Sequence, residues 1–451
     1  MRKFLGRIFN VNDDEFGLFV LLSILLLGNT VARQMTGIIG ISDLINTAGV
    51  NQILIVNAIN GVLIFITAML ASLIVDRFDR IELLKWTSFA FALMFVVVEI
   101  ISLVSSSEKI TAALVYLMSQ QQWLLFPMFF WVLANDIFEI AQAKRLIPAI
   151  GSWSFIGKVI GIGATLLPAL LFSFGLMENK VLSIEVVIRL NIFYYLLVFI
   201  MITIGLKKIT LRPLAKTEET IKETLTEGRD FIMEVPSFRY LLIGVVFITA
   251  CDVILEYRFF AVAKSTITDP VSYKNLYSLY LLMIALASFA IQGFVTSRIV
   301  QRLQLKNAFL IQPFVALGST LAMILSPEII AATLGSVVLK IGRNTIDEST
   351  RKSFQGFVPE ERRGRVALFT DNYAPAVGML LSALLTLGIV FVCERFNIAN
   401  AFFIYLGLSL IFAGIAVYFL LKMRKVYDNS LFNWRLKRRK RGGDVFSKLD
   451  F

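Results

Sequence analysis

Long apolar segments recur along the whole chain, and they restrict its fold more than any other feature. A stretch of about 20 apolar residues is long enough to cross a bilayer as one α-helix. The 451-residue sequence, 57% hydrophobic, contains twelve such stretches. It therefore predicts an all-α polytopic membrane protein with twelve transmembrane helices. Their predicted limits are 16–36, 51–75, 83–105, 111–138, 148–176, 186–206, 238–262, 275–297, 306–326, 328–347, 366–392 and 399–423.

The longest polar segment, 207–237, follows the sixth apolar stretch and divides the chain into two halves. It mixes Ile221, Leu225, Phe231 and Ile232 with charged residues, a pattern typical of an amphipathic helix lying along a membrane face. The predicted organisation is an N-terminal six-helix bundle over 1–206, this linker, a C-terminal six-helix bundle over 238–425 and a basic tail over 426–451.

The distribution of Lys and Arg predicts the orientation of the chain. Most of them lie in the termini and in the loops after helices 2, 4, 6, 8 and 10, whereas the opposite side holds only Lys109, Lys180, Arg189, Lys264, Lys274 and Arg395. Because cytoplasmic loops are enriched in Lys and Arg, both termini are predicted to be cytoplasmic. The net charge of +12 thus belongs to loops, and no nucleic acid partner is expected. The basic tail is expected to contact membrane lipids, with a cytoplasmic protein partner as the alternative.

The composition excludes several classes of function. The chain has no histidine, which excludes a histidine zinc site and a Ser–His or Cys–His nucleophile. No glycine-rich Walker loop occurs, so ATP-driven pumping by this chain is not expected. Cys251 and Cys393 lie in apolar segments of different halves and predict no disulfide framework. We expect no enzyme activity, no cofactor and no metal, and any coupled proton would have to use a carboxylate.

Charged residues inside the apolar segments indicate an anionic substrate. Lys158 and Lys340 each lie about twelve residues into a helix, near the bilayer midplane where transporter sites are found. Guanidinium groups such as that of Arg33 bind phosphate or carboxylate through paired hydrogen bonds. Acids inside the segments either contact substrate or neutralise the bases as structural ion pairs. The predicted substrate-binding residues are Arg33, Lys158, Asp252, Glu256, Lys340 and Arg343.

Two loops, one in each half, carry basic residues in a similar pattern. The loop after helix 2 reads SLIVDRFDRIELLK, with Asp76, Arg77 and Arg80, and the loop after helix 8 reads GFVTSRIVQRLQLK, with Arg298 and Arg302. Both resemble the signature loop of the major facilitator superfamily. The resemblance implies two six-helix pseudo-repeats, transport by alternating access, and a gating role for these charges. The alternative is a basic turn that only sets the orientation.

A second resemblance covers nearly the whole chain. The segments FFWVLANDIFEIAQAKRLIPAIG (129–151) and DESTRKSFQGFVPEERRGRV (347–366) resemble blocks of the nucleotide transporter family, the ATP/ADP translocases and their bacterial relatives. Arg33 matches the family's helix 1, whereas Thr36 and Gly37 stand where the translocases have lysine and aspartate. The resemblance implies a bacterial inner-membrane antiporter of an anionic, nucleotide or otherwise phosphorylated metabolite. The predicted gating residues are Asp76, Arg77, Arg80, Asp136, Lys144, Arg145, Arg298 and Asp371.

The sequence leaves two other functions open. One is a membrane scaffold or sensor that does not transport, whose basic loops and tail bind a cytoplasmic partner. Every interior charge of such a module would be paired. The other is a lipid or lysolipid flippase of the same fold, which would need a lateral opening between the halves.

Overall fold

The computed structural model describes residues 11–12, 15–75, 77–105, 107–175, 182–207, 209, 229–358 and 360–446. Side chains are described for all of these except 140–141, 144, 360–363 and 430–446. Almost all of the described residues are helical, and none of them lies in a strand. The predicted all-α fold class is therefore confirmed.

Long helices, named α1 to α12 in chain order, account for most of the described chain. In the first half they are α1 Phe16–Ala48, α2 Gln52–Ile74, α3 Arg80–Val104, α4 Glu108–Ile137, α5 Ile140–Ser173 and α6 Ile184–Gly205. In the second half they are α7 Pro236–Thr266, α8 Pro270–Leu303, α9 Leu305–Leu325, α10 Ile329–Gln355, α11 and α12 Phe402–Phe446. Helix α11 consists of three consecutive segments, Glu360–Leu368, Phe369–Tyr373 and Ala374–Arg395. Within the described ranges, 11 helices are long and apolar enough to cross a membrane. The exception is α4, because its glutamines 120–122 lower its mean hydropathy. Twelve spans and cytoplasmic termini stay predictions.

Several helices extend beyond their apolar stretches. The prediction ended the first helix at residue 36, but α1 continues to Ala48. Backbone hydrogen bonds within a helix do not need to end where the hydrocarbon ends, so an apolar stretch sets only a minimum length. Of the predicted linker, residues 208 and 210–228, with Ile221 and Leu225, lie outside the described residues. Phe231 and Ile232 are helical and buried.

Two compact units make up the chain. The first unit comprises Met1–Glu218 and Ala263–Leu286, and the second comprises Glu219–Val262 and Ala287–Phe451. One boundary, 218/219, therefore falls within the predicted linker, and the other two fall inside α7 and α8. The predicted domain limits stay a prediction.

In the first unit, α1 packs closely against α5 at two glycines. A Cβ atom on Gly157 would lie 2.7 Å from the carbonyl oxygen of Leu27, and one on Gly161 would lie 2.9 Å from the carbonyl oxygen of Val31. Small residues four positions apart are the usual means by which membrane helices approach closely. This contact fixes the rotation of α5 about its axis, and with it the position of Lys158 beside α1.

The second unit uses a glycine at the corresponding helix pair. Gly378 of α11 packs directly on the backbone of α7 at Val246. On another side of α7, the Cys251 thiol donates to the carbonyl oxygen of Ser409 in α12 at 3.4 Å. The first and fifth helices of each half are thus in glycine-mediated contact, in agreement with two pseudo-repeats.

Three π-helical turns interrupt helices of the second unit. They are Gln292–Thr296 in α8, Arg343–Asp347 in α10 and Phe369–Tyr373 in α11. A π-turn inserts one residue into the helix, changes the direction of the side chains that follow, and often occurs at functional sites. Two of these turns contain predicted site residues, Arg343 and Asp371.

Candidate functional site

Four of the six predicted substrate-binding residues form one acid–base cluster in the second unit, which we call the quartet. Asp252 and Glu256 are four residues apart on one face of α7, and Lys340 and Arg343 are three apart on α10. The Lys340 ammonium nitrogen lies 3.0 Å from Glu256 Oε1 and 3.8 Å from Asp252 Oδ1. The Arg343 guanidinium is hydrogen-bonded to Asp252 Oδ2. The α7 and α10 faces are therefore complementary in charge.

Burial within the quartet is uneven. The Asp252 side chain is 5% exposed, whereas those of Lys340, Glu256 and Arg343 are 18%, 21% and 27% exposed. Two carboxylates and two cations cancel, so the quartet as described carries no net charge. Such a cluster can be a structural set of ion pairs, or it can be a ligand site in which a bound anion replaces the carboxylates as partner of the cations.

Packing against α9 holds the α10 side of the quartet in place. Gly342 lies against the Gln312 side chain, where a Cβ would come within 2.5 Å of Gln312 Oε1. Gln312 Nε2 donates to the carbonyl oxygen of Leu339 at 3.0 Å. The π-turn begins at the next residue, Arg343, and directs its guanidinium toward α7.

The two predicted substrate-binding cations of the first unit, Arg33 and Lys158, do not belong to the quartet. Arg33 of α1 is half-buried, with its guanidinium carbon 6.0 Å from the centre of the Trp123 ring of α4. Within the residues that the structure describes, no carboxylate forms an ion pair with Arg33. Lys158 is half-buried in α5, beside the glycines that pack on α1. Trp123 was not predicted as a site residue, although its position one residue after the three glutamines was visible.

The polar residues beside this region bond neighbouring helices. Gln122 Nε2 donates to Asn191 Oδ1 at 2.6 Å, and Asn191 Nδ2 donates to the Thr36 hydroxyl at 2.9 Å. The Tyr195 hydroxyl donates to Asn29 Oδ1 at 2.8 Å. These buried hydrogen bonds join α1, α4 and α6, so Gln122 has a structural role.

Two predicted gating arginines of the first unit are in contact with acids. Arg80 Nε lies 2.8 Å from Asp136 Oδ2, which joins the start of α3 to the end of α4. Arg145 donates to both carboxylate oxygens of Glu15, at 2.9 and 2.7 Å. Arg77 is exposed. Asp76 lies outside the described residues, as does the side chain of Lys144.

Glu15 was not predicted as a site residue, yet it receives several hydrogen bonds just before α1 begins. Gln142 Nε2 donates to it at 2.9 Å and the Asn12 backbone amide at 3.2 Å, in addition to Arg145. Burial raises the pKa of the Glu15 carboxyl, but the hydrogen bonds from Arg145, Asn12 and Gln142 outweigh it and hold the pKa below its usual 4.5. Glu15 is therefore ionised when the contact forms.

In the second unit, the predicted gating residue Asp371 belongs to an ion-pair cluster that was not predicted. Arg351 of α10 binds Asp371 Oδ1 at 3.0 Å and Asp347 Oδ2 at 3.0 Å, and it donates to the carbonyl oxygen of Thr370 at 3.3 Å. Lys352 Nζ lies 2.6 Å from Asp371 Oδ2. The four-residue spacing of Asp347 and Arg351 could have revealed part of this cluster. The predicted gating residue Arg298 is exposed on α8.

No protein-family model and no curated protein matches the sequence. Solved transporter structures, however, match nearly all of the chain. A bacterial homologue of the human lysosomal transporter Spinster is 13% identical, covers 91% of this chain and 97% of its own, and has a TM-score of 0.63. The nucleoside transporter NupG is 13% identical, covers 91% of this chain and 99% of its own, and has a TM-score of 0.62. A bacterial homologue of the iron transporter ferroportin is 12% identical, covers 92% of this chain and 99% of its own, and has a TM-score of 0.63.

At such low identity the likeness shows the fold alone. These neighbours are described as transporters, and that the present chain is not an enzyme stays a prediction. The narrower resemblance to ATP/ADP translocases stays a prediction. The apolar helices and the neighbours together identify the chain as a multi-pass membrane protein with the fold of the major facilitator transporters.

Proposed function

We propose that this protein is a secondary transporter that moves an anionic metabolite by alternating access across a bacterial cytoplasmic membrane. One observation carries the anionic part of the proposal, namely the Arg33 guanidinium in the middle of α1. Its described neighbour is an aromatic ring rather than a carboxylate. An arginine at the centre of a membrane helix costs at least about 2.5–3.5 kcal/mol. A substrate anion that binds there would offset this cost.

The contrast with the quartet supports the same assignment. Lys340 and Arg343 are matched by Asp252 and Glu256 within their own unit. A scaffold without transport would be expected to pair every interior charge, as the quartet does. Arg33 departs from that expectation, and this favours transport over the scaffold alternative.

A nucleotide or another phosphorylated compound is the proposed substrate class. A guanidinium binds phosphate through paired hydrogen bonds, and the Trp123 ring beside it offers a flat face to a planar group. Lys158 is proposed as a second contact to the anion. The resemblance of residues 129–151 and 347–366 to the nucleotide transporter family supports the same class. One structural neighbour is described as a nucleoside transporter.

The remaining predicted residues are proposed to act in gating. The Arg80–Asp136 contact joins α3 to α4, and the Asp371 cluster joins α10 to α11. Contacts of this kind can break and reform when helices move, because partly exposed ion pairs are weak. The basic tail is proposed to contact anionic lipid, with a cytoplasmic protein as the alternative partner.

A binding screen of the purified full chain tests the substrate class. A ligand that binds only the folded protein must raise its apparent melting temperature. We expect ADP or glucose 6-phosphate to do so, and citrate to do so if carboxylates are also accepted. Stabilisation by lysophosphatidylcholine alone would instead favour the flippase.

Uptake into proteoliposomes then tests Arg33 directly. The R33Q variant should lose uptake of the stabilising anion, and R33K should recover only part of it because lysine lacks the guanidinium fork. The matched control is R239Q, since the Arg239 guanidinium also lies over an aromatic ring, 5.2 Å from the centre of Tyr240, and has no proposed substrate role. Equal uptake by R33Q and R239Q would refute the assignment.

A further inference from the structure

One ion pair of the first unit lies at its surface, between the helices α3 and α6. Arg189 Nε donates to Glu99 Oε1 at 2.7 Å. The Glu99 side chain is 14% exposed, whereas that of Arg189 is 62% exposed. Buried rings hold the two helices together nearby, because the Tyr195 ring of α6 stacks on the Phe91 ring of α3 with 5.0 Å between their centres. The carboxylate is therefore covered by the helix pair, while the guanidinium is open to its surroundings.

The surface around this ion pair is apolar. Exposed apolar side chains precede and follow Arg189 along α6, and others lie on both sides of Glu99 along α3. They are Val186, Leu190, Phe193, Val97, Ile100 and Leu103. In a multi-pass membrane protein, an exposed apolar surface of this kind faces the acyl chains of lipids. Arg189 therefore lies within the lipid-facing surface of the first unit.

The position of Arg189 along α6 brings it within reach of lipid headgroups. Arg189 is the sixth residue of α6, and Glu99 lies five residues before α3 ends at Val104. At 1.5 Å per residue, both lie about 7.5 Å from the ends of their helices. A long charged side chain near a helix end extends toward the membrane interface. The anionic group that lipids offer there is the phosphate.

The Arg189 guanidinium has donors left for a phosphate. Its Nε donates to Glu99, and neither terminal nitrogen donates a hydrogen bond to any residue in the described part of the chain. A guanidinium binds two phosphate oxygens through paired hydrogen bonds. Because Glu99 already orients the guanidinium, less side-chain entropy is lost when a phosphate binds. The ion pair thus presents a preorganised phosphate-binding group to the lipid.

We propose that Arg189 and the apolar side chains around it form a binding site for one phospholipid, held by its phosphodiester group. The phosphate accepts hydrogen bonds from the terminal nitrogens of Arg189, Glu99 keeps Nε, and an acyl chain lies against Phe193. The ligand is a lipid rather than free phosphate, because free phosphate has no group that would cover the exposed apolar side chains. The lipid belongs to the leaflet at this end of α6, which the charge distribution predicts to be the outer one. This site is separate from the proposed substrate site at Arg33.

Native mass spectrometry of the purified full chain with added dioleoylphosphatidylcholine tests the site. The R189Q variant should bind the first lipid at least about fivefold more weakly than the wild type, because hydrogen bonds to a charged group are lost. The matched control is K109Q, since Lys109 is also an exposed cation at this end of the first unit but is the second residue of α4. K109Q should bind the lipid as the wild type does. Equal binding by R189Q and the wild type, or an equal loss in K109Q, would overturn the proposal.

The E99Q variant separates lipid binding from a purely structural ion pair. If the pair only joins α3 to α6, E99Q and R189Q should lower lipid binding equally, and that result would refute the proposal. If Arg189 binds the phosphate, E99Q removes a competing carboxylate, so the lipid should bind at least as tightly as in the wild type.

Two competition measurements on the wild type identify the part of the lipid that is recognised, and they do not depend on the folding of any variant. Dioleoylglycerol, which has the acyl chains but no phosphate, should not displace the bound phosphatidylcholine. Inorganic phosphate, which has no acyl chains, should not displace it either. Displacement by dioleoylglycerol would show that the phosphate is not recognised, and displacement by inorganic phosphate would show a site for free anions. Either result would overturn the assignment to a phospholipid.

Discussion

Replacing Gly157 by alanine should destabilise the first unit, because α5 crosses α1 at this residue. An added Cβ would lie 2.7 Å from the Leu27 carbonyl oxygen and 3.0 Å from Thr30 Cβ. The Leu27 carbonyl oxygen belongs to the backbone and cannot rotate away, so α1 and α5 must move apart. Overpacking of this kind costs about 1–3 kcal/mol. Gly163 of the same helix is the matched control, since a Cβ there would have no neighbour within 4 Å.

The comparison of G157A with G163A isolates the steric cost. Alanine is favoured over glycine inside a helix by about 0.5–1 kcal/mol, and this gain applies to both variants. The free energy of unfolding, measured by detergent titration of the purified protein, should therefore be lower for G157A than for G163A by about 1–3 kcal/mol. Uptake by G163A should match that of the wild type. Equal stability of the two variants would show that the α1–α5 contact is not as close as described.

Three further predictions concern charged side chains. D252N should lower the free energy of unfolding by about 3–5 kcal/mol, because it leaves Arg343 without its buried partner, and a loss below about 1 kcal/mol would contradict the described pairing. R33M should raise the apparent melting temperature while abolishing stabilisation by ADP, since it removes a half-buried cation that forms no ion pair within the described residues. A drop in melting temperature would indicate a structural role instead. Because the pKa of folded Glu15 lies below 4.5, its contribution to stability should be complete above that pH and lost as the pH falls through the lower, folded-state value. E15Q should lack this acid-dependent loss of melting temperature, and an unchanged pH profile would refute it.

The fold class could be predicted from the sequence because it follows from the hydropathy of consecutive residues. A stretch of apolar residues long enough for a bilayer is a property of consecutive residues and needs no knowledge of their neighbours. The extra length of α1 and the π-turns at Arg343 and Phe369 were not predictable in this way. They depend on which backbone groups find partners in adjacent helices.

The candidate site was predicted in part. Charges inside apolar segments are costly, and for this reason Arg33, Asp252 and Lys340 were visible as candidates. Their partners were not visible, because pairing depends on the rotation of each helix about its axis. Glu15 and Arg351 were missed for the same reason, since nothing in the linear sequence places Glu15 beside Arg145.

By itself, then, the sequence determined that the chain enters the membrane many times and places both cations and acids there. Only the tertiary structure decided that Lys340 and Arg343 are neutralised by α7, whereas Arg33 faces an aromatic ring. The physical reason is that hydropathy is summed along one helix, while ion pairing requires two side chains on different helices to come within a few ångströms. Close contacts such as that at Gly157 set those distances, and they exist only after the helices have packed.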